Sequence, residues 1–228
     1  MFRLPAGLVA LPGCFAVIGR RGFMAAAGLA SSVSPLSPAW AADAVPPIVD
    51  AVRARLGHDP VLRGRFEQRK KIAGFKAPLV SRGDFLVLRE LGVFWHTREP
   101  FESTLVITRD RLVARQADGS VGTRLDSRDE PGLRAINECL FALMSADLSV
   151  LAARFVVEGA LAGAAGWRLV LQPKDAAMAR FVSRITLEGE RFVRSVALAE
   201  AQGDGSVIRF SDQAGAAAPT PQEIARFD

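Results

Sequence analysis

The chain has 228 residues, half of them apolar and 23% charged, which suits one soluble domain with a real core. Its formal charge is +5, but residues 1–41 carry Arg3, Arg20 and Arg21 and no acid, so residues 42–228 keep a net of only +2. No block of basic residues interleaved with aromatics occurs, and Arg69 to Lys71 reads as a solvated strand end, so no nucleic-acid partner is expected.

The first segment reads as an export signal. Arg20-Arg21-Gly22-Phe23-Met24 precedes the apolar run "AAAGLASSV", and Ala39 and Ala41 stand in an A-x-A arrangement. The run is too short to span a membrane. "RRGFM" resembles a twin-arginine signal, although paired arginines also open ordinary secretory signals, and both routes stay open. Cleavage is expected near Ala41, giving a signal over residues 1–41, a mature domain over 42–228 and a periplasmic location. "LPGC" at Leu11 to Cys14 resembles a lipidation site. The apolar run before it is short and broken by Pro5, so an over-long leader is the preferred reading. Once the leader is removed, Cys139 is the only cysteine and no internal disulfide can form.

Pro46 and Pro47 suit a first helical turn, and Ile48, Val49, Val52 and Leu56 follow on one face until Gly57. The chain turns extended near Phe66. From Leu79 the period is two: Phe85, Val87 and Arg89 share one face, with Leu86, Leu88 and Glu90 on the other. Leu91-Gly92 makes a turn, and Val93, Trp95 and Thr97 alternate with Phe94 and His96. Pro100 breaks that strand. "STLVITRDRLVAR" supplies two more strands, including Leu105 and Ile107, and Asp118-Gly119 a hairpin turn.

Residues 131–155 change to helical spacing, with Leu133, Ile136, Leu140, Phe141 and Met144 on one face and Leu143 beside them. Ser145 is placed to cap a following turn that carries Leu148 and Leu151. Five strands then return, from "RFVVEG" to "SVIRFSDQ", as an antiparallel meander. "AGAAAPTPQE" reads as a linker-like end before a short terminal segment. A sheet of this many strands curls, and its hollow side needs cover. The helical segments 46–57 and 131–153 are that cover. They either fill the hollow side or leave a cavity.

Chemistry is thinly represented. Cys139 has no histidine placed beside it, and His58 and His96 are the only two. His96 has the opposite parity to Trp95 and should be solvated, and with no second histidine nearby and no cysteine cluster a metal site is unexpected. Asp126, Asp129 and Glu130 read as loop charge. No G-x-S-x-G or phosphate-binding glycine loop occurs. No enzyme and no cofactor are expected.

In order and spacing, these elements resemble the periplasmic outer-membrane lipoprotein carriers of the LolA family, in its divergent LolA-like branch. The family's F-x-Q element is "RFEQ" (Arg65 to Gln68), and its "G-D-L-x-V-x-R-P-x-x-F-x-W" hairpin is "GDFLVLRELGVFWHT", matching without a gap at Gly83, Asp84, Val87, Arg89 and Trp95. "PFESTLVITRD", "WRLVLQPKD" and "ITLEGERFVRSVALAEAQ" follow in the family's order. Glu90 replaces the family's proline, the aromatic pair of its next segment is missing, and the chain has no tyrosine.

The resemblance implies an α+β fold: an incomplete, strongly curved antiparallel β-barrel with a helical lid over a hydrophobic cavity. It implies a carrier of lipoprotein or lipid acyl chains, loaded by an inner-membrane ABC transporter and unloaded to an outer-membrane receptor. A monomer is expected. Arg89 would be the lid latch. Phe85, Val87, Val93, Trp95, Leu105, Ile107, Leu140, Phe141, Leu143 and Met144 would line the cavity and lid. The departures favour, as alternatives, a carrier or accessory factor for a specialised lipid or glycolipid pathway. A receptor module of the same fold, anchored through Cys14, is a further one.

Overall fold

The computed structural model describes residues 46–126, 142 and 147–227. Among them, eleven strands form one sheet in which all neighbours are antiparallel. The strands are β1 (Val61–Lys71), β2 (Leu79–Leu88), β3 (Gly92–Glu99), β4 (Ser103–Thr108), β5 (Arg111–Gln116), β6 (Val121–Asp126), β7 (Phe155–Ala162), β8 (Gly166–Pro173), β9 (Val182–Gly189), β10 (Val193–Glu200) and β11 (Gly205–Ala216). Their order is β6-β5-β4-β3-β2-β1-β11-β10-β9-β8-β7. Two hairpin-linked meanders are thus joined where β1 pairs with β11. β6 and β7 remain edges, so the expected antiparallel sheet is present and is not closed.

Short helices complete the fold: α1 (Pro47–Arg53), α2 (Leu148–Arg154), α3 (Ala176–Ala179) and α4 (Pro221–Ile224), with a 3-10 turn at Ala225–Phe227. α1 ends before the predicted Gly57, although the chain continues turning to Leu56. The cap of α2 is Asp147, whose carboxylate accepts from the N–H groups of Ser149 (3.2 Å) and Val150 (3.3 Å). Ser145, given that role from the sequence, lies outside the described residues. So do Leu133, Ile136, Cys139, Leu140, Phe141, Leu143, Met144, Asp129, Glu130 and the whole of residues 1–45.

Period-two alternation divides the sheet into two apolar faces. The inner face carries the main core, where Phe66, Phe85, Val87, Val93, Trp95, Leu105 and Ile107 meet Trp167, Leu169, Leu187, Ile208 and Phe210. α1 contributes Val49 and Val52 to it, and α2 contributes Leu148, Leu151 and Ala152. Ala142 is buried there too. The two helices touch, and Arg53 Nη2 of α1 donates to Ser149 Oγ of α2 at 2.7 Å. Burying these side chains is the main driving force for the fold.

The outer face has a smaller cluster of Val61, Leu86, Leu88 and Val106. It explains the unbroken run "FLVL": β2 is covered on both faces at its end. The cover is Phe227, from the short terminal segment, and the stretch before it, expected to be linker-like, is itself structured. β11 runs on to Ala216, and Thr220 and Glu223 form a capping box that starts α4. The turn after it lays Phe227 on the outer cluster. The tail's small residues and prolines hid a segment whose only large apolar anchor comes at its end.

Candidate functional site

The inner face is built from the elements that carry the sequence motifs. Register places Phe66 opposite Gly83, Gly83 opposite Thr97, and Phe85 opposite Trp95. Gly83 has no side chain to fill the space between β1 and β3. The Phe66 ring occupies it and stacks on Trp95 at 3.8 Å between centroids, with 27° between planes. A Cβ at Gly83 would stand 1.9 Å from the His96 carbonyl oxygen and 2.9 Å from the Phe66 ring. Phe210 packs edge-on against Phe85 (5.1 Å) and Trp95 (6.2 Å). The result is a wall of four aromatic rings drawn from β1, β2, β3 and β11.

Beyond the wall, toward the ends of the strands near Lys71 and Leu79, the same face turns polar. Gln68 lies opposite Ser81 on one side and Ile208 on the other, and Lys70 lies opposite Ser206. Gln68, Thr97 and Ser206 are 2%, 2% and 3% exposed, and Ser81 is also buried. Among the described residues, neither end of the Gln68 amide has a hydrogen-bond partner, nor do Trp95 Nε1, Thr97 Oγ1 and Ser206 Oγ. Lys70 and Glu200 approach to 3.3 Å and neutralise each other beside this row.

At the opposite end of β2 stands Arg89. Its Nε donates to the Asp59 carbonyl at 2.9 Å and its Nη2 to the Gly57 carbonyl at 2.8 Å. Its own N–H donates to the Pro60 carbonyl at 3.0 Å. The carbonyls belong to the loop that leads from α1 into β1. That loop is held from the other side as well: the Gly57 N–H donates to the Arg191 carbonyl at 2.7 Å, and Arg191 pairs with the Asp59 carboxylate at 3.2 Å. A guanidinium needs many acceptors when it leaves water, and neutral carbonyls supply them without a second charge.

Phe85, Val87, Val93, Trp95, Leu105 and Ile107 therefore share one buried face, which the alternation predicts within β2 and β3 and the register extends to β4. Arg89 shares their parity and sits just past the last residue of β2. Leu140, Phe141, Leu143 and Met144 fall outside the described residues. His96 points to the outer face, where Nε2 lies 3.0 Å from Glu102. Sequence reading missed Gln68, Thr97, Ser206 and the ring of Phe210 as site residues. The signal for Gln68 was present: it has the parity of Phe66, so an amide was due on an oily face.

The inner face is packed, its apolar residues forming one buried cluster. A depression of about 520 Å³ lies on the other face, where Phe75, Pro78 and Val207 meet Arg69, Lys71 and Arg184.

Among solved structures, the chain resembles a LolA superfamily protein from Nitrosomonas europaea, at 11% identity and a TM-score of 0.42 over 79% of this chain and 96% of that one. A DUF1329 family protein from Desulfovibrio piger aligns at 10% identity and 0.40, over 76% and 91%. The MucA/MucB complex of Pseudomonas aeruginosa aligns at 13% and 0.42, over 79% of this chain and 62% of that one. No curated protein sequence matches the chain. The family model described as outer membrane lipoprotein carrier protein LolA matches residues 60–224, from the start of β1 to the end of α4, and the chain belongs to that family.

Proposed function

We propose that residues 42–228 are an exported periplasmic carrier, released from its signal near Ala41, that shields the acyl chains of a lipoprotein or a related lipid. The described face of aromatic and aliphatic side chains would be the cargo surface, and α1 with the 131–153 insert the lid. In this reading the packed inner face is the closed, cargo-free state. Family membership supports an inner-membrane transporter as the source and an outer-membrane receptor as the destination.

The observation that carries the reading is the pairing of Arg89 with the carbonyls of Gly57 and Asp59. These bonds fasten the loop behind α1, a helix that covers the apolar face. Hydrogen bonds to neutral carbonyls can be exchanged for water when the lid opens. Burying acyl chains gains about 0.8 kcal/mol per methylene, so a few methylenes offset a few such bonds. Re-forming the bonds as cargo leaves would then drive release. No bond to the cargo is made or broken, so the role needs no catalytic group.

The test is the Arg89→Leu variant. It should still take up acyl cargo but hand it on at least about ten-fold more slowly, because the closing bonds are gone. Hand-over at the normal rate would rule the latch out. Native mass spectrometry of protein isolated from the periplasm should show bound lipid. Protein that stays empty even when lipid is supplied would remove the carrier reading itself.

A further inference from the structure

We infer that the inner face also recognises the linkage that joins a cargo's acyl chains to its head, an ester or amide carbonyl, through Gln68, Thr97, Ser206 and the Trp95 indole N–H. This rests on the carrier reading of the same face. Each of the four groups is buried and, among the described residues, without a hydrogen-bond partner. Native proteins leave few such groups, because an unpaired buried donor or acceptor is costly. Several on one face, at the border of an aromatic wall, mark a surface shaped for something else to pair with.

The donor inventory selects the chemistry. The indole N–H can only donate, the Gln68 amide brings two more N–H donors with one carbonyl, and the hydroxyls of Thr97 and Ser206 serve either way. Donors are thus in surplus, and a carbonyl is the natural complement. Charge points the same way. On this face Lys70, opposite Ser206, stands 3.3 Å from Glu200, and the two charges offset each other, so neither is free to bind a phosphate or an ammonium group. The register then gives a direction. The polar row lies near the strand ends at Lys71, Leu79 and Gly205, and Arg89 lies at the other end of β2. Acyl chains would run along Phe66, Phe85, Trp95 and Phe210 toward the Arg89 end, with their carbonyls at Gln68.

Closed packing leaves these groups unpaired and a carbonyl-bearing cargo pairs them, so such a cargo favours the loaded state by differential contacts. The probes are a synthetic lipopeptide with two ester-linked chains, its ether-linked counterpart of equal chain length, and a free fatty acid, each titrated against the full mature chain. The ester form should bind about ten-fold tighter than the ether form, since two or more hydrogen bonds distinguish them. In Gln68→Leu and Thr97→Val that preference should shrink to roughly two-fold, the ester form losing more affinity than the ether form, with thermal melts verifying the fold. Equal binding of ester and ether by the natural chain overturns the inference and leaves the carrier reading standing. A preference for the fatty acid, or full discrimination kept by both variants, also overturns it. Binding of none of the three overturns both readings.

Discussion

Glu223 ties the last helical turn to the centre of the sheet, and its protonation should be visible in stability. Arg63 donates to the carboxylate through Nε and Nη2, the latter at 2.8 Å, and Thr220 adds its N–H at 2.8 Å and its hydroxyl at 3.0 Å. The Arg63 hydrogen bonds, helped by those of Thr220 and working against desolvation, lower the carboxyl pKa from 4.5 to about 2. A drop of that size corresponds to about 3 kcal/mol. Arg63 is 38% exposed, so solvent screening brings the expected contribution to about 1–2 kcal/mol. The folded pKa is the lower one. The stabilisation is therefore complete above the unfolded value near 4.5 and is lost as pH falls toward 2. Urea unfolding of the natural chain and of Glu223→Gln from pH 7 to pH 2 measures it. The variant should be less stable by about 1–2 kcal/mol at pH 7, and the gap should close near pH 2. A gap that stays constant over that range would refute the assignment.

Two further outcomes concern the inner face. Gly83→Ala places a methyl group 1.9 Å from a backbone oxygen and against the Phe66 ring, so β2 and β3 must part. A loss of about 3 kcal/mol in chemical unfolding is expected, and a loss below 1 kcal/mol would show that the Phe66–Trp95 stack does not depend on the missing side chain. Gln68→Leu removes a buried amide that lacks partners and keeps similar volume. Its cargo-free form should gain about 1 kcal/mol, read as a rise of roughly 2–4 °C in Tm. A fall in Tm would mean that Gln68 is a structural residue.

Much of the inner face could be read from the sequence because alternation is a local property. Phe85 with Val87, and Val93 with Trp95, show a shared side within each strand by spacing, and the register brings them together with Leu105 and Ile107. Arg89 shows its parity in the same way, yet its partners come from a loop some thirty residues earlier, and no local pattern reports them. Gln68 shows its parity with Phe66 in the same way, but in an exposed strand a glutamine is ordinary, and only the pairing of β1 with β11 and β2 puts it under cover. The outer cluster was equally non-local. Leu86 and Leu88 look like surplus oil until Phe227, far along the chain, closes over them.

The meeting of β1 with β11 has a consequence for how the molecule is made. Each meander can zip up from neighbouring hairpins as soon as its own residues are present. The seam between them joins the first strand to the last. A chain threaded across a membrane from its beginning would hold two half-sheets apart until Gly205 to Ala216 arrives, with β1 exposed along one side throughout. Trimming the C-terminus would then remove the centre of the sheet, where a protein of most other topologies would lose a margin. Until β11 is in place, the two half-sheets have no strand to join them.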